Sequence, residues 1–247
     1  MGESKAVPEL SNIITLLADL FKNTPLAKYL LIWQDVIFAL IIVIILSALA
    51  YFASRKSSLV PGRLQSACEV FVGGIDDFVC GIMGPKGRTF TPFIGTLFIY
   101  ILFMNLFGLV PLMKASTTSW STTLALAICV FLYVQYTAVK ELGLFGYLDH
   151  LMEKPRGFLA FSVVIPLMML ILHVVSELVR PISLSLRLRS NIWGDDMLLA
   201  VFASFGLKGV PLMLFNSLLA IIVSVVQTVV FCLLATIYFT LVLPHEE

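Results

Sequence analysis

Long apolar runs alternate with short polar stretches along this chain, and the runs have the length of membrane spans. Val36–Ala53 carries no charge over about 18 residues, close to the ~20 that a spanning helix needs, and Arg55 and Lys56 end it. Thr91–Met113 and Thr122–Val139 follow as two further spans around the polar turn KASTTSWS. A connection that short predicts an antiparallel helical hairpin. Upstream, residues 8–22 set Leu10, Ile13, Ile14, Leu17, Leu20 and Phe21 at helical spacing among Glu9, Asn12, Asp19 and Lys22, a pattern for a helix on the membrane surface or against a partner. The mixed stretch 54–90 places Val70, Phe71, Ile75, Phe78 and Val79 at amphipathic spacing, which predicts an interfacial helix. Asp76 and Asp77 are expected on its solvated face, since adjacent helical positions do not face each other.

The last two runs are longer than a perpendicular crossing. Phe158–Gly206 is largely apolar over about 48 residues, broken only by Pro166 and Pro181. Two spans with a tight turn and one long, kinked and tilted helix both fit that length, because neighbours can satisfy the carbonyl that a proline frees. Val210–Leu243 runs for about 34 residues, roughly 50 Å of helix, against a ~30 Å hydrocarbon core, so it must tilt. The pattern predicts an all-α polytopic membrane protein of about five spans, with the last two helices long and strongly tilted and one interfacial helix. The expected layout is a single membrane domain over 1–247: an N-terminal tail with a surface helix (1–35), the first span (36–53), a cytoplasmic loop with the interfacial helix (54–90), the hairpin (91–139) and two long tilted helices (158–243) carrying the ion path.

Composition narrows the class. Of 247 residues, 60% are hydrophobic and 13% charged, outside the range of soluble domains. The net charge of +1 leaves no basic face for a nucleic acid. Cys68, Cys80, Cys129 and Cys232 are scattered without metal-ligand spacing, so neither a metal nor any other cofactor is expected. No cleaved signal is expected from MGESKAVPEL, and Ala6 stands where myristoylation requires Ser or Thr. Arg55, Lys56, Arg63, Lys86, Arg88, Lys140, Lys154 and Arg156 crowd the loops at 54–90 and 140–157, whereas only Lys114 and Lys208 mark the opposite loops. That bias puts the first set in the cytoplasm and the N-terminus outside; with five spans the C-terminus is cytoplasmic.

Charge within the apolar runs points to function. Arg187, Arg189, Asp195 and Asp196 fall within one stretch, and each costs roughly 2.5–3.5 kcal/mol at the bilayer centre unless it faces a cavity or a partner. On an ideal helix Asn191 lies one turn beyond Arg187, with Ser183, Ser190 and Gly194 on the same face. Asp196 points about the opposite way, so the partner of Arg187 must come from another helix or another chain. Gln227 sits mid-way along the last run, where it would hold the guanidinium without neutralising it. His173 and Glu177 share a face, with Arg180 a turn on, as a salt bridge or a proton relay. Asn105 suits an interhelical bond, or a wet vestibule. No nucleophile, base and orienter can be assembled, so an enzyme acting alone is not expected.

The string RPISLSLRLRSNIWGDD, followed by a long apolar helix with a central Gln, resembles subunit a of the F-type rotary ATP synthases, whose hallmark is close to S-L-x-L-R-L-F-G-N followed by acidic residues. TPFIGTLFIYILFMNLFGLVP is similar to the start of that family's hairpin, STTLALA to the helix after it and SELVRPISL to the approach to the arginine. The resemblance implies that Arg187 is the stator arginine facing a ring of c subunits, with Gln227 as its companion. It implies that Asn191, Asp195 and Asp196 line the outer half-channel, with Asn105 and Asn216 nearby, and that His173 and Glu177 line the cytoplasmic one. The implied partners are the c-ring, b-type peripheral stalk subunits, the rest of the ATP synthase and membrane lipid; the absence of a presequence and the short tails lead us to expect a bacterial plasma membrane. Arg189 and Ser190 depart from the family's Phe-Gly, and Ala220 stands where some relatives carry His or Glu, which shifts the outer acidic role to Asp196. The alternative is a self-contained ion-coupled transporter or ion channel, although no internal repeat of the kind common in transporters is found.

Overall fold

A computed structural model describes residues 14–15, 29, 32–54, 62–110, 113, 116–151 and 161–242. The surface helix expected over residues 8–22 therefore lies outside the described residues, Ile14 and Thr15 excepted. So do several of the basic positions that orient the chain.

Six long helices account for nearly all of the described chain: α1 (Gln34–Ser54), α2 (Arg63–Met83), α3 (Thr91–Phe107), α4 (Trp120–Leu151), α5 (Phe161–Ser204) and α6 (Val210–Val242). Short 3-10 turns at Gly84–Thr89, Ser116–Thr118 and Gly206–Gly209 connect α2 to α3, lead into α4 and join α5 to α6. Helices α1, α4, α5 and α6 are each long and apolar enough to cross a membrane, and α3, at 17 residues, is the shorter apolar helix of the set. Helix α4 bends at Gly143, whose φ of 70° and ψ of 161° suit a residue without Cβ.

The 44 residues of α5 form one helix, with Pro166 and Pro181 inside it. The long run is thus one element and not two spans with a turn, which favours five crossings over six. At ~1.5 Å per residue α5 measures about 66 Å, twice a hydrocarbon core, and α6 about 50 Å.

The helices pack around α6. One stripe of it, Asn216, Ala220, Ser224, Gln227, Phe231, Ala235 and Phe239, is buried at helical spacing. Phe239 stacks on Phe90 at 4.8 Å between ring centres and meets Phe93 and Tyr133 edge-on, which locks α6 to the hairpin of α3 and α4. Apolar burial gives no drive between helices in lipid, so this close packing is what holds them together. Helix α5 lies against both α4 and α6. Its outward residues Leu178, Val179, Ile182, Leu186 and Trp193 are exposed, as a lipid- or partner-facing surface requires.

Helix α2 is amphipathic, as its spacing predicts, but its acid pair behaves differently from the expectation. Asp77 is exposed, whereas Asp76 is half-buried and accepts hydrogen bonds from the Thr91 hydroxyl at 2.7 Å and from Arg88 Nε at 3.2 Å. The Thr91 bond, with help from Arg88 and against a burial cost, holds the Asp76 carboxyl below its ordinary range. Asp76 therefore fastens α2 to α3.

Candidate functional site

The two arginines of α5 part company because successive positions on a helix are about 100° apart. Leu184, Ser185, Leu188 and Ile192 form the buried side of α5, so Arg187, with Ser183, Ser190 and Asn191, is exposed on the other side. The Arg187 guanidinium makes no hydrogen bond or ion pair with any described residue. Arg189, about 200° further round, turns inward and is half-buried. Its Nε donates to the Thr118 carbonyl at 3.1 Å, and its guanidinium lies 4.8 Å from the centre of the Trp120 ring.

Asn191 Nδ2 donates to Gln227 Oε1 at 2.7 Å, tying α5 to α6 one turn beyond Arg187. Gln227 is buried, and its Nε2 has no partner among the described residues. The expectation that Gln227 holds the guanidinium is thereby changed: the glutamine binds the asparagine and leaves the arginine free. Asn105 Nδ2 and Asn216 Nδ2 are likewise buried without a partner, while Asn105 Oδ1 accepts from the Thr117 hydroxyl at 3.1 Å. The expected hairpin bond of Asn105 is therefore made to the turn and not across to a helix. Buried amides nearly always find a partner, so these three N–H groups are exceptions among the described residues.

Asp195 and Asp196 stand on the same half of α5. Asp196 Oδ2 accepts from the Thr118 hydroxyl at 3.0 Å, and Asp195 is partly buried beside it. The turn at Ser116–Thr118 is the meeting point of this end, since the Ser116 hydroxyl also donates to the Asp35 carbonyl at 2.6 Å and so brings in α1.

A second polar group lies towards the start of α5. Glu177 pairs with Arg180 one turn on and accepts from Gln135 Nε2 of α4 at 2.7 Å, and Arg180 also sits 5.0 Å from the centre of the Tyr238 ring of α6. His173 Nδ1 meets the Met169 carbonyl of its own helix at 3.2 Å and not Glu177. Of the two readings left open for this group, the salt bridge is present. Arg187 stands about two turns from Arg180 and about two and a half from Asp196, between the two polar clusters. Arg187 is thus an outward-facing cation with separate polar groups on either side of it along α5.

Comparison with known proteins decides the family. Residues 36–240 match the ATP synthase A chain family. The chain belongs to that family. It is 40% identical over 250 residues to the ATP synthase subunit a of Protochlamydia amoebophila, covering 98% of this chain and 91% of the relative. It is 37% identical to the ATP synthase subunit a of Oleidesulfovibrio alaskensis (87% and 88% covered) and 36% identical to that of Moorella thermoacetica (84% and 89%). As a subunit a, the chain is a multi-pass membrane protein and a non-catalytic component of the ATP synthase, which removes the support for a self-contained transporter. Residues of the site that the sequence reading overlooked are Thr117, Thr118, Trp120 and Gln135. Thr118 and Gln135 act through partners 78 and 42 positions away and Trp120 through Arg189, whereas Thr117 meets Asn105 12 positions away; the one hint to Thr117, Thr118 and Trp120 was the density of hydroxyls in the KASTTSWS turn.

Proposed function

We propose that this subunit conducts protons to and from a rotating ring of small c subunits through two half-channels, with Arg187 as the fixed cation between them. The single observation that carries the reading is that Arg187 is exposed and makes no hydrogen bond or ion pair with any described residue, while Arg189, two residues away, is half-buried on the Thr118 carbonyl and the Trp120 ring. In this reading Asn191, Asp195, Asp196, Asn105, Asn216 and Gln227 line the outer path, and the three buried, unpartnered amide N–H groups support a hydrated one. His173 and Glu177 line the cytoplasmic path. The N-terminus lies outside and the C-terminus in the cytoplasm of a bacterial plasma membrane, following the charge bias of the loops. The ring and a b-type peripheral stalk are the partners.

The mechanism follows from the cost of charge in lipid. A ring carboxylate must be neutral to travel through lipid, because an unpaired ion there is expensive. When it meets Arg187, the nearby cation favours its ionised form and the proton leaves into one half-channel. Past the arginine it takes up a proton from the other half-channel and can re-enter lipid. Arginine suits the post because its guanidinium stays charged at any working pH and cannot hand a proton across. Each proton moved contributes about 2.3 kcal/mol per 100 mV of membrane potential. The Asn191–Gln227 bond keeps the floor beneath the arginine polar and uncharged, so it does not compete for the guanidinium. The test is Arg187→Gln in inverted membrane vesicles with assembly of the complex verified. Proton-driven ATP synthesis is expected to stop, and synthesis at the normal rate would overturn the reading.

A further inference from the structure

We propose that Arg189 is a positioning residue for the outer proton path: with Asp196 it grips Thr118, and this latch holds the acid of α5 in place against the turn. The inference rests on the proposed role of Asp196 in that path. Arg189 and Asp196 are seven positions apart, about two helical turns and nearly the same face. Both reach the same residue, Arg189 taking the carbonyl of Thr118 and Asp196 its hydroxyl, from 71 and 78 positions along the chain. The Trp120 ring under the guanidinium closes the grip from the first turn of α4.

The same turn is fixed from its other sides, by Thr117 on Asn105 of α3 and by Ser116 on the Asp35 carbonyl of α1. Thr118 is therefore the place where α5 is registered against the rest of this end of the bundle. Among the described residues, two hydrogen bonds and one ring contact bear on that register, and two of these three come from Arg189. A second stator cation would need to face the ring. Arg189 points into the bundle and spends its donor and its charge there.

Loss of the latch lets the turn and Asp196 drift apart without touching Arg187. Proton entry should slow, while coupling stays intact. The experiment compares Arg189→Met, Arg189→Lys, Thr118→Val and the Met/Val double variant in assembled complex in inverted vesicles, reading proton-driven ATP synthesis and passive proton leak. Methionine keeps the bulk but has no donor, and synthesis is expected to fall about tenfold, the factor that one charged hydrogen bond carries, with no added leak. Lysine can donate to the same carbonyl and sit over the same ring, so it is expected to restore most of the rate. Thr118→Val removes only the hydroxyl bond to Asp196 and should also slow synthesis, and the double variant should be little slower than the worse single one, as members of one network behave. Should Arg189→Met assemble poorly, the Thr118→Val and Arg189→Lys results decide alone.

Normal synthesis in Arg189→Met or Thr118→Val, a lysine variant no better than methionine, or fully additive losses would overturn the latch. Leak without synthesis in Arg189→Met would make Arg189 a second stator cation and overturn it as well. Arg187→Gln in the same preparation separates the two proposals: normal synthesis there overturns the stator reading itself, whereas loss there with normal Arg189→Met overturns the latch only.

Discussion

Replacing Gln227 by leucine separates what its hydrogen bond does for the fold from what it does for transport. The side chain accepts one bond, from Asn191 at 2.7 Å, and buries a second amide group that no described residue accepts. An interhelical hydrogen bond in a membrane stabilises by about 0.6 kcal/mol on average and at most about 1.7 kcal/mol. Leucine forfeits that contribution and keeps a similar volume. Thermal unfolding of the purified complex should therefore be destabilised by no more than about 1.7 kcal/mol. Proton-driven synthesis should nevertheless fall by roughly tenfold, because a barrier rise of ~1.4 kcal/mol follows from the loss of one polar contact on the path. A complex that fails to assemble would show that this bond is a main fastening of α5 to α6. Undiminished synthesis would show that Gln227 and Asn191 lie off the path, and either result refutes the reasoning.

Two further outcomes follow from the packing. The Asp76 carboxyl is held below its ordinary range by Thr91 and Arg88, so the α2–α3 junction is secure above the ordinary carboxylate value of ~3.9 and weakens as pH falls through the lowered one; amide hydrogen exchange across residues 76–91 should accelerate in Thr91→Val at pH 7 and, in the unmodified chain, only under strong acid. A Cβ on Gly209 would meet the Phe202 carbonyl oxygen at 2.0 Å, a contact with backbone that cannot give way cheaply, so Gly209→Ala should open the α5–α6 turn and reduce the amount of assembled complex recovered from membranes.

Hydrophobic periodicity carried most of the fold, because spans in lipid must satisfy their own backbone and so announce themselves as uninterrupted apolar runs. The length of α5 was legible, but its continuity was not: Pro166 and Pro181 are compatible with a break, and only packing decides that the helix carries through. That Arg187 shares a face with Ser183, Ser190 and Asn191 followed from helical geometry alone; that this face is exposed did not. What eluded the sequence were contacts made to backbone atoms or across long separations. Arg189 finds a carbonyl 71 positions away, which no side-chain pattern encodes. Asp76 looked solvated because its partners, Thr91 and Arg88, lie beyond a turn whose path the amphipathic pattern does not give. Gln227 was paired with the wrong member of the α5 face, since two residues one turn apart present nearly the same address to a neighbouring helix.

The central claim, that Arg187 forces ring carboxylates to ionise and keeps the two half-channels apart, is tested most directly by passive proton conductance in vesicles stripped of the catalytic head. Arg187→Gln removes the fixed charge while keeping a polar side chain of similar reach. An intact, assembled membrane sector that no longer couples is expected: protons pass from one half-channel to the other through ring sites without rotation, so stripped vesicles conduct while the reconstituted complex makes no ATP. Stripped vesicles as proton-tight as blocked ones, or synthesis at the normal rate in the reconstituted complex, would contradict the claim.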